Sequence, residues 1–200
     1  MEQNFESLRQ EIVDKSLEAF RQGLFSGTSG NMSCRVAPDE MLITPTSVRY
    51  EALRAQDIVR MTLDGTVVEG ALQPSSEWRM HAAVYKAYPE TNAVFHTHSP
   101  YATAFAVVRR SIPAVLIEAR IFLGGDVRCA DYATPGTKEV GMNAVPALFE
   151  RGGCTLANHG VLAVGEDLAQ AYLRAEYIED VAKIYTYAKA IGKPVALDTL

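Results

Sequence analysis

Cysteine is scarce in this chain of 200 residues: Cys34, Cys129 and Cys154 are odd in number and far apart. They offer neither a disulfide framework nor a CxxC metal knuckle, and fit reduced, packed thiols in a cytoplasmic protein. Basic charge is short as well. Against 24 Asp plus Glu stand 19 Lys plus Arg, a formal net charge of −5, and no segment concentrates the basic residues. A surface that binds nucleic acid or an anionic membrane has no electrostatic footprint here. No unbroken apolar run reaches the roughly 18 residues that a membrane helix needs. The opening MEQNFESLRQ has acids and amides where a secretory signal would have a basic stretch and then an apolar one. What the chain has is a 48% hydrophobic content, enough for a substantial core and too much for disorder.

Periodicity divides that content between helices and short strands. Phe5, Leu8, Ile12 and Phe20 recur near helical spacing and predict an amphipathic helix over about 4–22, stopped by Gly23. Residues 32–36 and 41–43 read as a strand pair about the turn Ala-Pro-Asp-Glu, and 58–63 and 66–68 as a hairpin about Asp64-Gly65. Pro74-Ser75-Ser76 supplies a helix start with serine as the predicted N-cap, and Pro89 closes that helix. Then come a strand over 93–98, a helix over about 101–108, a stretch 114–123 left unassigned, and a helix over about 137–149. Strands at 155–157 and 161–164 flank Asn158-His159-Gly160, and a long helix runs over about 167–190. Helices and strands alternate without a long linker or an internal repeat, so one α/β domain spanning residues 1–200 is expected. Strict βαβ alternation is missing, which favours a layered mixed sheet over a doubly wound parallel one.

Of only four histidines, two stand in His96-Thr97-His98 at the end of an apolar strand. Residues i and i+2 of a strand point to one side, so both imidazoles can converge while Thr97 faces away. His159, followed by Gly160, sits where a tight turn can project its ring into a cleft. Three neutral imidazoles at about 2.0–2.1 Å leave a fourth tetrahedral position open, the pattern of a catalytic Zn²⁺ site. A lone HxH is weak, and Glu77 strengthens it: it lies in the first turn of a helix that can open into the same loop-rich edge. His81, one turn further on, reads better as a packed, hydrogen-bonded histidine than as another ligand.

Taken in order, GTSGNMS at 27–33, ITPTS at 43–47, PSSEWRMH at 74–81, HTH at 96–98, YATPGT at 132–137 and NHG at 158–160 resemble the class II aldolase/adducin family over nearly the full length. The likeness is greatest to its fuculose-phosphate aldolase branch. The resemblance implies a three-layer α/β/α fold with a largely antiparallel sheet, assembled as a homotetramer with active sites between subunits. It implies Zn²⁺ or a similar divalent metal on His96, His98 and His159, with Glu77 as resting fourth ligand and catalytic base. It also implies a phosphate pocket of Thr28, Gly30, Asn31, Thr46, Ser47, Ser75 and Ser76, with Asn31 able to donate to substrate. Small hydroxylic residues, backbone N–H groups and a helix start suffice for such a grip without lysine.

The reaction so implied cleaves a phosphorylated sugar, a ketose 1-phosphate, to dihydroxyacetone phosphate and an aldehyde through a metal-stabilised enediolate. Zn²⁺ lowers the pKa of bound water from about 15.7 to about 7; at 1.36 kcal/mol per unit that is on the order of 12 kcal/mol for a bound oxyanion. A few hydrogen bonds at about 1.5–3 kcal/mol each do not match it. The family's fuculose-phosphate members carry a tyrosine proton donor after the segment matching Ser111-Ile112-Pro113. Here the stretch reads Ala114-Val115-Leu116-Ile117-Glu118, leaving Glu118 or Arg120 as replacements. Ser47 stands where the family has glycine, and the chain stops at Leu200 without the family's longer tail. Fuculose, ribulose and 5-deoxy- or 5-methylthio-pentulose 1-phosphates all remain open as substrates. A pentulose-phosphate 4-epimerase, dehydratase or decarboxylase and a non-catalytic adducin-like module are the alternatives.

Overall fold

A computed structural model describes residues 5–197; the expected helix start at residue 4 and the chain's end at Leu200 fall outside them. Helix α1 (Glu6–Arg21) buries Ile12, Val13 and Ala19. Gly23 then takes φ 78°, and the amides of Gly23 and Leu24 return to the carbonyls of Phe20 and Ala19. That left-handed cap is the stop the sequence predicts. Strands β1 (Asn31–Ala37) and β2 (Glu40–Ile43) pair antiparallel, as do β3 (Val59–Thr62) and β4 (Val67–Glu69) over Asp64-Gly65. Helix α2 (Trp78–Ala87), strand β5 (Ala93–Thr97) and helix α3 (Pro100–Val107) follow. Next come α4 (Ile117–Leu123), β6 (Arg128–Ala130), α5 (Lys138–Ala147), β7 (Gly153–Leu156), β8 (Gly160–Gly165) and α6 (Leu168–Ile191).

Among the described residues, eight strands form one sheet in the order β4-β3-β2-β1-β5-β8-β7-β6. Every neighbouring pair is antiparallel except β6 with β7. Helices α1, α3, α4 and α6 cover one face, packing Ile12, Ala102, Ala119 and Ile178 on Phe95 and Ala163. Helices α2 and α5 cover the other, packing Met80, Tyr85 and Val140 on Val94 and Leu162. The architecture is thus the expected α/β/α sandwich about a mostly antiparallel sheet.

Three local details differ from expectation. The N-cap of α2 is Glu77, whose side chain makes no cap. Instead the Ser75 hydroxyl accepts the Glu77 amide at 3.3 Å and the Ser75 carbonyl accepts that of Trp78. The Glu77 carboxylate is engaged elsewhere. The unassigned stretch 114–123 contains α4, and β6 adds an edge strand that its three residues did not announce.

Strand alternation decides where the site lies. Ala93 and Phe95 face the α6 side, so Val94 and His96 face α2. On the adjoining β1, Asn31 stands opposite His96 and Ser33 opposite Val94, on the same face. On the other side of β5, Leu162 of β8 is the partner of His96. A Cβ at Gly160 would collide with the Thr97 carbonyl and stand 3.1 Å from His96 Cε1 and 3.3 Å from His98 Cδ2. Glycine there lets the β7–β8 turn close onto β5. Gly160→Ala is expected to lower stability by about 1–3 kcal/mol, as overpacking does, when followed by urea unfolding; an unchanged midpoint would contradict the close approach.

Candidate metal centre and adjoining cavity

Four side chains meet where the end of β5, the β7–β8 turn and the start of α2 come together. His96 lies one residue before the end of the strand, His98 just beyond it, His159 in the turn, and Glu77 at the N-cap of the helix. One ligand atom from each falls within 4.8 Å of all the others. His96 Nε2 is 2.9 Å from Glu77 Oε2 and 3.0 Å from His98 Nε2, and His159 Nε2 is 3.2 Å from Glu77 Oε1. Ligands of a tetrahedral ion at about 2.0–2.1 Å stand about 3.3 Å apart. The spacing therefore suits one small divalent cation at the centre.

Local structure aims these atoms. His96 Nδ1 lies 2.8 Å from the Val161 carbonyl, which can only accept. The ring proton is thus on Nδ1, and the Nε2 lone pair points into the cluster. Asn158 carries the turn at φ 55°, a left-handed conformation that asparagine tolerates. Its amide donates to the Ala106 carbonyl and its Oδ1 accepts from Arg109, holding the turn that presents His159. Glu77 Oε1 is buried and receives no hydrogen bond, an acceptor that a cation would satisfy. Burial pushes the Glu77 carboxyl up, but the imidazoles of His96 and His159 beside it outweigh that and hold it well below the usual carboxylate range. Burial, with His96 and His159 adding to it, pushes His98 down to about 4, so its ring is neutral, as ligation requires.

Asn31 is buried at the start of β1 and donates from Nδ2 to Glu77 Oε2 at 3.3 Å. His81 is fully buried and hydrogen-bonded, outside the cluster, as the sequence suggests. A cavity of about 270 Å³ adjoins the cluster and shares Glu77, His98 and His159 with it. Thr28, Gly30 and Asn31 line one side; Thr46 and Ser47 follow from the end of β2, and Ser75 and Ser76 from the approach to α2. Every residue that the resemblance assigned to a phosphate pocket thus borders one space. Among the described residues no lysine or arginine lines it.

Gly30 takes φ 91°, and a Cβ there would strike the Phe25 ring and stand 3.0 Å from the His96 carbonyl. From behind, the Tyr50 hydroxyl donates to the Gly30 carbonyl at 2.7 Å. Ser47 takes φ 60°, a left-handed backbone that glycine adopts freely. Pro135, within the YATPGT motif, also borders the cavity, as does Ser29; the sequence reading gave neither a role. Glu118 does not join the site. It lies on α4, half-buried, outside both cluster and cavity, while Arg120 donates to the Leu197 carbonyl at 3.3 Å.

Burial, then His96, pushes His81 down from 6.5 to about 3. Between those values the unfolded chain binds a proton that the native one refuses. Stability is therefore whole above about pH 6.5 and falls on acidification, by about 1.4 kcal/mol per pH unit from this group alone. Urea unfolding of the metal-free protein between about pH 6 and pH 5 is expected to show this slope reduced by that amount in His81→Gln. Equal slopes in both proteins would contradict a buried neutral ring.

Comparison with known proteins agrees with this geometry. The family model for the class II aldolase and adducin N-terminal domain matches residues 10–186. An L-fuculose phosphate aldolase of Escherichia coli is 42% identical over 195 residues, covering 98% of this chain and 89% of its own. A 5-deoxy-D-ribulose 1-phosphate aldolase of Bacillus thuringiensis is 39% identical over 190 residues, covering 94% and 89%. A solved L-fuculose 1-phosphate aldolase superposes with TM-score 0.92 at 39% identity, over 96% of this chain and 91% of that one. With its fold, its cluster and these relatives, the chain belongs to the class II aldolase and adducin family, among the metal-dependent aldehyde-lyases.

Proposed function

We propose that the protein is a zinc-dependent aldolase that cleaves a ketose 1-phosphate of the fuculose, ribulose or 5-deoxy- or methylthio-pentulose type to dihydroxyacetone phosphate and an aldehyde. It does so in the cytoplasm, as a homotetramer of single-domain chains with active sites between subunits. One observation carries this reading: the four-ligand cluster and the hydroxyl-lined cavity share Glu77, His98 and His159. A phosphate held in the cavity leaves the adjoining carbons of its sugar at the cluster.

Zinc, held by His96, His98, His159 and Glu77, supplies a Lewis acid where negative charge develops on the ketone and neighbouring hydroxyl oxygens. The protein's own groups do the rest. Thr28, Gly30, Thr46, Ser47, Ser75 and Ser76 bind the phosphate with hydroxyls and backbone N–H groups, fixing which carbon faces Glu77. In the synthetic direction the Glu77 carboxylate takes a proton from the hydroxyl-bearing carbon beside the carbonyl of dihydroxyacetone phosphate; in cleavage it returns that proton after the carbon–carbon bond has broken. Asn31 donates from Nδ2 to a substrate oxygen. Glu118 reaches a site only from another subunit, where it replaces the tyrosine acid. The exposure of Ile117 and Ile121 beside it on α4, and of Val107 and Val108 at the end of α3, supports an interface there. Among the described residues no helix is long and apolar enough to cross a membrane.

Two experiments test the proposal. The zinc-loaded protein, given a panel of ketose 1-phosphates, is expected to release dihydroxyacetone phosphate, followed through a coupled hydride-transfer assay. Release of pyruvate, CO₂ or an epimer would move it to a sister activity, and stable folding without metal or turnover would make it an adducin-like module. Glu77→Gln is expected to keep one metal per chain on the three histidines and lose at least about 100-fold in turnover, within the range for a positioned acid or base. Unimpaired turnover would reject Glu77 as the base.

A further inference from the structure

Behind Glu77, the buried side of α2 carries His81 and Tyr85 at successive four-residue steps, and β1 sets Asn31 and Ser33 against them. A chain of hydrogen bonds joins them. Asn31 Nδ2 is 3.3 Å from Glu77 Oε2, and Asn31 Oδ1 is 2.5 Å from His81 Nε2. His81 Nδ1 is 2.6 Å from Ser33 Oγ, which is 2.8 Å from the Tyr85 hydroxyl. All five residues are buried, so each contact must be matched as donor and acceptor.

The Glu77 carboxylate can only accept, so Asn31 must present its N–H to it and its carbonyl oxygen to His81. His81 must then donate from Nε2, which leaves the Nδ1 lone pair for the Ser33 hydroxyl, and Ser33 accepts from Tyr85. The other neutral tautomer reverses the chain. It would turn Asn31 Oδ1 toward Glu77 Oε2, setting two acceptors against each other at 3.3 Å. We propose that His81 is a positioning residue: as the Nε2–H tautomer, locked by Ser33 and Tyr85, it holds the Asn31 amide with its N–H group toward Glu77 and the cavity. The orientation stands on the contacts alone; its effect on turnover rests on the aldolase reading above.

The tautomer is read directly. With only four histidines in the chain, protein labelled with ¹⁵N-histidine in a deuterated background and loaded with zinc gives long-range ¹H–¹⁵N correlations that show which His81 nitrogen bears the proton. Nε2–H is expected; Nδ1–H would overturn the proposal whatever the enzyme's activity. Two variants supply the kinetic arm. His81→Gln can still offer an N–H near the Nε2 position, whereas His81→Asn reaches only the Nδ1 position. The glutamine variant is expected to stay within about 3-fold of wild-type kcat, and the asparagine variant to lose about 10–100-fold, the usual range for a residue that orients a ligand or donor. Zinc affinity and KM are expected to be unchanged in both. Equal kcat in the two variants, or a parallel loss of zinc, would overturn positioning through Asn31. Absence of aldol cleavage in the wild type would instead remove the functional reading and leave the tautomer result standing.

Discussion

A carboxylate buried against three imidazole groups is costly to leave without a cation, and the fold is arranged to hold that cluster together. Glu77 is drawn inward from the N-cap of α2, where a side chain would ordinarily cap the helix. His96 arrives from a strand hydrogen-bonded on both sides, by β1 and by β8. His159 arrives on a tight turn that Gly160 allows to press against β5. Because the three elements enter from different directions, no single one can move without separating the ligands. The same constraint explains the polar layer beneath: a carboxylate in the interior needs oriented donors, and Asn31 is placed to be one.

Much of this was legible in the chain itself. The period-two spacing of His96 and His98, the strand pairs about Pro38-Asp39 and Asp64-Gly65, and the Gly23 stop all follow from local rules. These rules operate within a few residues and are not overridden by packing here. The convergence of Glu77 with the histidines was suggested by its place at a helix start near the same loop-rich edge and by the resemblance, but no local period encodes it, because it depends on sheet order. Strand β6 was missed since three residues carry no period, and its parallel pairing with β7 is a tertiary matter. Helix α4 was left open because Ile117 and Ile121 are apolar yet exposed, so its hydrophobic pattern does not mark a single buried face. The Ser75-Ser76 cap was misplaced by one residue, since nothing local says that Glu77 is turned toward histidines some twenty and eighty positions away. The spacing of Glu77, His81 and Tyr85 was visible throughout, and gains meaning only once Asn31 and Ser33 are seen to face it.

Where the chain departs from its family, the structure separates path from chemistry. Ser47 takes a left-handed backbone that glycine adopts freely and borders the cavity. Among the described residues the cavity wall carries hydroxyl groups and no lysine or arginine. Glu118, by contrast, lies outside the cavity of its own chain.

X-ray absorption at the zinc edge of the loaded protein tests the central claim most directly. One zinc per chain is predicted, surrounded by three imidazole nitrogens and carboxylate or solvent oxygen at about 2.0–2.1 Å. Zinc that fails to bind in stoichiometric amount, or that shows fewer than three imidazoles or a sulfur ligand, would contradict a catalytic centre built from His96, His98, His159 and Glu77.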